Sequence, residues 1–197
     1  GSAPPSLDIQ IVSNGRITYT DNFYDTLVSP DPTMKQHPSL AESWERIDPL
    51  KMRFKLRKGV KFQDGTPFTS EAVVLAVKRL TDPDMKSQLQ GFVDTVQEAG
   101  GGDGNTVPLI TKGPDPILVA RMSFLPIFSP TPLKKDPNSA NTMPIGTGPF
   151  RIVEWTKGQQ VKLTAFDEYW GPNKPTFKDV IIGFRKEASV RLTALKA

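Results

Sequence analysis

Apolar and polar residues alternate most cleanly over residues 51–57, where Met52, Phe54 and Leu56 are separated by Arg53 and Lys55. A period of two puts the apolar set on one face, which predicts a half-buried strand with a solvated basic face. Lys58-Gly59 turns the chain, Val60 and Phe62 predict a second short strand, and Asp64-Gly65 is a tight turn. The period then changes. Val73, Val74, Val77 and Leu80 fall at helical spacing and predict a helix over 70–80. Thr69 or Ser70 can cap it, Glu71 meets the positive end of its dipole, and Asp82-Pro83 ends it.

Outside this block the signals are shorter. Residues 1–14 open with a Pro-Pro turn and an apolar patch of Leu7, Ile9, Ile11 and Val12. Phe23, Tyr24, Leu27 and Val28 share a helical face, predicting a helix over 21–28 with Asp21 as its cap. Pro30, Pro32 and Pro38 make 29–38 a loop. Residues 99–105 read as a flexible turn, and Pro108 demotes the strand at 106–111 to a sheet edge. Residues 117–125 predict an apolar helix stopped by Pro126, and 126–144 are Pro-rich and irregular. Two strands, 152–155 and 161–166, flank Lys157-Gly158 as a hairpin. Residues 180–184 form a continuous apolar run, the pattern of a central strand, and 187–197 predict a terminal helix.

This interspersed order fits an α/β (mixed α+β) layered domain, with 34–135 as a subdomain inserted between 1–33 and 136–197. A hydrophobic content of 37% is enough to bury a core. No apolar run approaches the roughly 18 residues of a membrane span. The chain has no Cys, which excludes disulfides, thiolate metal sites and thiol nucleophiles. Its single His, His37, excludes a multi-His metal site, and it lies in a polar loop. The net charge of +4 is spread as −4 over 1–50, +3 over 51–100, +1 over 101–150 and +4 over 151–197. That mild polarity is no nucleic-acid footprint, and the basic alternation at Lys51, Arg53, Lys55 and Arg57 reads as a strand's solvated face. AGGGDGN (99–105) lacks the Lys-Ser/Thr ending of a phosphate loop. In GTGPF (146–150), Pro149 blocks the helix start a dinucleotide site needs. The adjacent acids Asp167-Glu168 and the pair Glu42 and Glu45 read as surface residues, and Trp44, Trp155 and Trp170 as core or rim residues rather than stacking platforms. No catalytic constellation, metal site or cofactor site assembles from these residues, so binding is favoured over catalysis.

Several blocks fall in a telling order: PSLAESW (38–44), MRFKLRKGVKFQDGTPFTSEAV (52–73), VKRL (77–80), PIGTGPFRIVEW (144–155), FDEYWGPNKPTFKDVIIGF (166–184) and RLTALKA (191–197). Together with SLDIQ (6–10) and FYDTLV (23–28), they resemble the family 5 extracellular solute-binding proteins of ABC importers, the dipeptide-, oligopeptide- and nickel-binding class. The resemblance implies part of one lobe of a type II periplasmic-binding-protein fold. The first lobe would comprise 1–33 and 136–197, with the inserted subdomain at 34–135 and the second lobe absent from this chain. It implies capture of a small solute, above all a peptide, in a cleft between lobes, and delivery to a membrane permease. It also implies a periplasmic or extracellular location, with a lipid anchor in the native form as one route. Gly1-Ser2 reads as the remnant of an expression tag, and the uncapped end at Ala197 as a cut within a longer protein.

By the same resemblance the loop opening the FYDTLV segment faces the cleft. Thr20, Asp21 and Asn22 are therefore the first candidate ligand residues, and Ile145 and Gly146 the second. The competing role for Asp21 is to cap its own helix. A single lobe is expected to bind ligand weakly and, with its partner surface uncovered, to self-associate. Two other functions remain open at this stage: a standalone interaction domain using the same lobe, and a hydrolase dependent on His37 or an acid pair.

Overall fold

The computed structural model describes residues 3–12, 20–101, 103–185 and 187. Beyond residue 187, the expected terminal helix at 187–197 lies outside the described residues. The chain folds as mixed α/β. Strands β1 (Val28–Pro30) and β2 (Gln36–Pro38) form a short antiparallel pair. Strands β3 (Ala41–Asp48), β4 (Lys51–Leu56), β5 (Val96–Ala99) and β6 (Thr106–Thr111) form a four-stranded sheet in the order β3-β4-β6-β5. Strands β7 (Phe150–Thr156), β8 (Gln160–Ala165) and β9 (Asp179–Gly183) form a three-stranded antiparallel sheet.

The expected alternation holds in β4, where Met52, Phe54 and Leu56 are buried. They share a core with Val73, Val77 and Leu80 of helix α1 (Ser70–Thr81). Each such side chain contributes about 1.5–3 kcal/mol of burial. On the outer face Glu45 pairs with Arg53 at 2.9 Å and Glu42 with Lys55 at 3.3 Å, so β3 supplies acids to two residues of the basic stripe. Thr69 is the N-cap of α1 but makes no side-chain cap bond, so the helix is held by its packed face.

A second core gathers Leu7, Ile9, Phe23 and Tyr24 with Phe128, Leu133, Ile152, Val161 and Leu163. The N-terminal segment is tied across to α1 by a buried network. Arg79 donates to the carboxylate of Asp8 (2.8 Å), to the Gln10 side chain and to the Pro137 carbonyl (3.1 Å). The Ser87 hydroxyl donates to the Gln10 carbonyl.

Several expectations are corrected. Residues 21–28 are not a helix; only a 3-10 turn at Thr20–Asn22 forms, and the chain then runs without regular structure into β1. The apolar residues serve two cores, Phe23 and Tyr24 one and Leu27 and Val28 the other, and a helix would have put them on one face. Residues 29–38 are a hairpin rather than a loop. His37 of β2 is paired with Asp31 at 2.9 Å, and the Thr33 hydroxyl, then His37, hold the Asp31 carboxyl well below the usual range.

Strand β6 is interior, not an edge, despite Pro108. The Pro108 carbonyl faces β5 and accepts from the Gly100 amide at 2.9 Å. Its missing N–H points the same way, just past Ala99, where β5 ends and no partner is needed. Residues 126–144 contain helix α3 (Pro130–Lys135), capped by Ser129, whose side chain accepts from the Thr131 amide. The expected helix at 117–125 shortens to α2 (Leu118–Arg121) and a 3-10 turn at Met122–Phe124. The second strand at Val60 and Phe62 is reduced to one bridge between Lys61 and Pro67. Strand β9, expected to be central, pairs only with β8 among the described residues, and Ile181 is 63% exposed on it.

Candidate functional site

The segment 23–27 is held by distant backbone partners rather than by its own turns. The Phe23 carbonyl accepts from the Gly148 amide (3.3 Å), that of Asp25 from Ile127 (3.2 Å), that of Thr26 from Leu40 (3.2 Å) and that of Leu27 from Ala41 (2.9 Å). Gln63 locks the crossing. Its side-chain amide donates to the carbonyls of Phe23 (3.0 Å), Gly148 (3.1 Å) and Phe150 (2.7 Å), while its Oε1 accepts from the Gly146 amide at 3.3 Å.

The glycines of GTGPF make this approach possible. A Cβ on Gly148 would lie 2.6 Å from the Phe23 carbonyl carbon, and one on Gly146 would overlap the Phe23 carbonyl oxygen. This close backbone approach is what a glycine is needed for.

Asp25 is the chemical centre of the crossing. Its Oδ2 accepts from the Thr147 hydroxyl at 2.8 Å and from the Trp170 indole N–H at 2.9 Å. Burial raises the carboxyl's pKa, and the bonds from Trp170 and Thr147 offset that only in part. Trp170 carries the Arg57 guanidinium 4.8 Å from its ring centroid, and Arg57 in turn donates to the Ser39 carbonyl at 3.0 Å. The neighbouring Tyr169 phenol is pushed up to about 12, first by burial and then by the charge of Asp25.

Beside Asp25 a pocket of about 210 Å³ opens to the surface, lined by Asp21, Asp25, Thr26, Ser29, Ser39 and Ser123. Tyr24 also faces it. The lining thus combines two carboxylates with hydroxyls, a surface suited to hydrogen-bond donors and positive charge.

The sequence candidates fall in different places. Thr20, Asp21 and Asn22 form the 3-10 turn, with Asp21 exposed and at the pocket. Asp21 does not cap an α-helix, since none follows. Ile145 and Gly146 lie apart from this pocket's lining. The Ile145 carbonyl accepts from the Ser129 amide (2.8 Å), and the Gly146 carbonyl from the Gln63 amide (3.0 Å). Both are engaged in packing the crossing. The sequence reading missed Asp25, Thr147, Trp170 and Gln63 as a group. Each sits inside a block that carries the family resemblance, which was the available signal; their meeting across as many as 145 residues was not.

The fold thus has two hydrophobic cores and a polar surface pocket beside the crossing of distant segments. The model of bacterial extracellular solute-binding proteins, family 5 (middle), matches residues 35–197. The glutathione-binding protein GsiB of Shigella flexneri is 31% identical over 162 residues, covering 81% of this chain and 32% of GsiB. Among solved structures, AgaA from A. tumefaciens R10 in complex with agropinic acid superposes with a TM-score of 0.89 at 30% identity, over 98% of this chain and 40% of that one. The ABC transporter-associated periplasmic binding protein DppA from Helicobacter pylori, in complex with the peptide STSA, gives 0.86 at 28% identity, over 100% of this chain and 43% of DppA. The chain belongs to the family 5 bacterial extracellular solute-binding proteins. It spans about a third of the length of the curated relatives it matches. Among the described residues no helix is long and apolar enough to cross a membrane.

Proposed function

We propose that this chain supplies one wall of the ligand cleft of a solute-binding receptor, which works outside the cytoplasmic membrane and hands its cargo to an ABC permease. The role is binding, not catalysis. The observation that carries this reading is the carboxylate- and hydroxyl-lined pocket at the Thr20–Asn22 turn, set on a crossing rigidified by Gln63 and the GTGPF glycines. Rigid placement of a few polar groups in a concavity is what small-molecule recognition requires. A peptide is the favoured cargo class: DppA was solved with one, and GsiB is named for glutathione, itself a tripeptide.

In this reading 1–33 and 136–197 belong to the ligand-binding lobe and 34–135 to the inserted subdomain. The two cores follow that division only in part: Leu27 and Val28 pack with the subdomain, and Phe128 and Leu133 with the lobe. Closure of a second wall over the ligand would supply most of the binding energy, so the affinity of this chain alone is weak.

The test is an amide NMR titration of the 197-residue chain with the tetrapeptide Ser-Thr-Ser-Ala at millimolar concentration. Shifts concentrated at Asp21, Asn22, Tyr24, Asp25 and the Trp170 indole support the reading. An unchanged spectrum, or changes scattered away from the pocket, overturns it. A second reading, an interaction domain that buries a partner surface, is favoured by Phe177 and Ile181, which are 71% and 63% exposed near and on β9. Light scattering decides it: a monomer at high concentration counts against self-association.

A further inference from the structure

We propose that Arg57, which lies outside the pocket's lining, is a positioning residue for the ligand wall: it fixes Ser39 and Asp25 relative to each other, the first directly and the second through Trp170. The proposal rests on the solute-receptor reading and deepens it by giving the subdomain a part in shaping the pocket.

Three observations carry it. First, the residues form a closed loop of contacts. The Arg57 Nε–H donates to the Ser39 carbonyl at 3.0 Å, and the guanidinium lies over the Trp170 ring, 4.8 Å from its centroid. The Trp170 indole N–H donates to Asp25 Oδ2 at 2.9 Å. The backbone closes the loop, where the Leu40 amide, next to Ser39, donates to the Thr26 carbonyl, next to Asp25, at 3.2 Å. Asp25, Thr26 and Ser39 line the pocket, and Arg57 and Trp170 do not. One side chain thus ties a lining residue to the anchor of another.

Second, Arg57 starts from a fixed point. It follows directly on β4, and its own amide donates to the Leu40 carbonyl at 2.8 Å. The side chain therefore leaves a backbone already bound to the segment that it steadies. Third, its partners are those of a brace rather than of a counter-ion. No acid pairs with Arg57 among the described residues. The groups that move the Asp25 carboxyl are burial, Trp170 and Thr147. What Arg57 provides is a planar cation over an indole with an edge N–H on a carbonyl, which needs the guanidinium's shape as well as its charge.

Thr147 holds the same Asp25 oxygen at 2.8 Å, so Trp170 is one of two anchors, and Arg57 acts on that one. In the division proposed above, Arg57 belongs to the inserted subdomain, and Asp25 and Trp170 to the lobe. The subdomain thereby shapes the pocket through a side chain outside its lining.

The test follows the Trp170 indole N–H and the Asp25 carboxyl carbon by NMR in the 197-residue chain, and titrates each variant with Ser-Thr-Ser-Ala. Arg57→Met keeps an unbranched stem and removes the planar cation. It is expected to shift the indole signal and speed its exchange with solvent. The Asp25 titration midpoint is expected to rise further, because the Trp170 bond that lowers it is loosened. The tetrapeptide is expected to bind at least about threefold more weakly. Arg57→Lys, which keeps a cation but not the fork, is expected to fall between the parent and Arg57→Met. A role in stability alone would lower the unfolding temperature and leave the indole signal and the Asp25 midpoint where they are; that result overturns the proposal.

Action through Trp170 is tested separately. Trp170→Phe keeps a ring for the guanidinium and removes the N–H. It is expected to raise the Asp25 midpoint, and adding Arg57→Met to it is expected to raise the midpoint no further. A second rise as large as in the single variant means that Arg57 reaches Asp25 by another route, and overturns the proposal. Should Arg57→Met not fold, Arg57→Lys, alone and with Trp170→Phe, makes the same comparison. If the parent chain ignores the tetrapeptide while the indole and carboxyl respond as expected, the solute reading fails and the hold of Arg57 on Asp25 stands. Tetrapeptide binding with no response to Arg57→Met does the reverse.

Discussion

Arg79 of α1 and Asp8 of the N-terminal segment form an ion pair at 2.8 Å, with side-chain exposures of only 8% and 0%. The guanidinium also serves Gln10 and the Pro137 carbonyl, so one side chain joins three segments that are distant in sequence. Removing one member of a buried pair strands the other. Arg79→Ala is expected to lower the unfolding free energy by about 3–5 kcal/mol, measured by urea denaturation. Arg79→Lys should recover little, because a single ammonium cannot reproduce the planar fork. A loss below about 1 kcal/mol would show that the network contributes no net stability.

Gly148→Ala tests the crossing of GTGPF over Phe23. The added methyl would sit 2.6 Å from a backbone carbon and 2.8 Å from the Asn22 carbonyl oxygen, and neither can rotate away. A cost of about 3 kcal/mol or more is expected from thermal or chemical unfolding. Gly158→Ala, at φ +82° in the β7–β8 turn with open space around it, should cost only about 1 kcal/mol.

Gln63→Leu removes three donated bonds and leaves the carbonyls of Phe23, Gly148 and Phe150 without this partner. Stranded acceptors cost about 1–3 kcal/mol each where buried. The expected result is a loss of about 2–3 kcal/mol, with amide exchange accelerated at Gly146 and Gly148 before the β4 core opens.

Asp25 imposes a pH dependence of definite sign. Its folded-state pKa is raised above the ordinary 3.8 by burial, so the folded state binds this proton more tightly than the unfolded chain. The stability it contributes is present at low pH and is lost as pH rises above 3.8 through the folded value. Comparing thermal midpoints of the parent chain and Asp25→Asn from pH 3 upward, the difference should move in favour of the variant as pH rises. A difference independent of pH would contradict a raised pKa.

Tyr169 reports on the same carboxylate. Its phenol is pushed up to about 12 by burial and by Asp25, so it should ionise well above the usual 10 in an ultraviolet titration. Asp25→Asn removes the second cause and should bring the midpoint down while leaving the larger effect of burial.

The sequence by itself determined the parts whose partners are local. Met52, Phe54 and Leu56 had to face one way because a strand alternates, and Val73, Val77 and Leu80 had to face one way because a helix turns every 3.6 residues. The β7–β8 hairpin was legible because its turn lies between its own strands. Family membership was legible because it rests on blocks in order, not on contacts. Tertiary structure decided the rest. Residues 23–28 carry a helical pattern, yet their backbone bonds go to Gly148, Ile127, Leu40 and Ala41, and two cores divide their side chains. Pro108 looked like an edge residue because sequence does not show where the neighbouring strand stops. The surroundings of Asp25 depended on Thr147 and Trp170 meeting it, and local periodicity holds no record of a contact across 145 residues. A carboxylate's chemistry is set by what surrounds it, and only the folded chain brings those surroundings together.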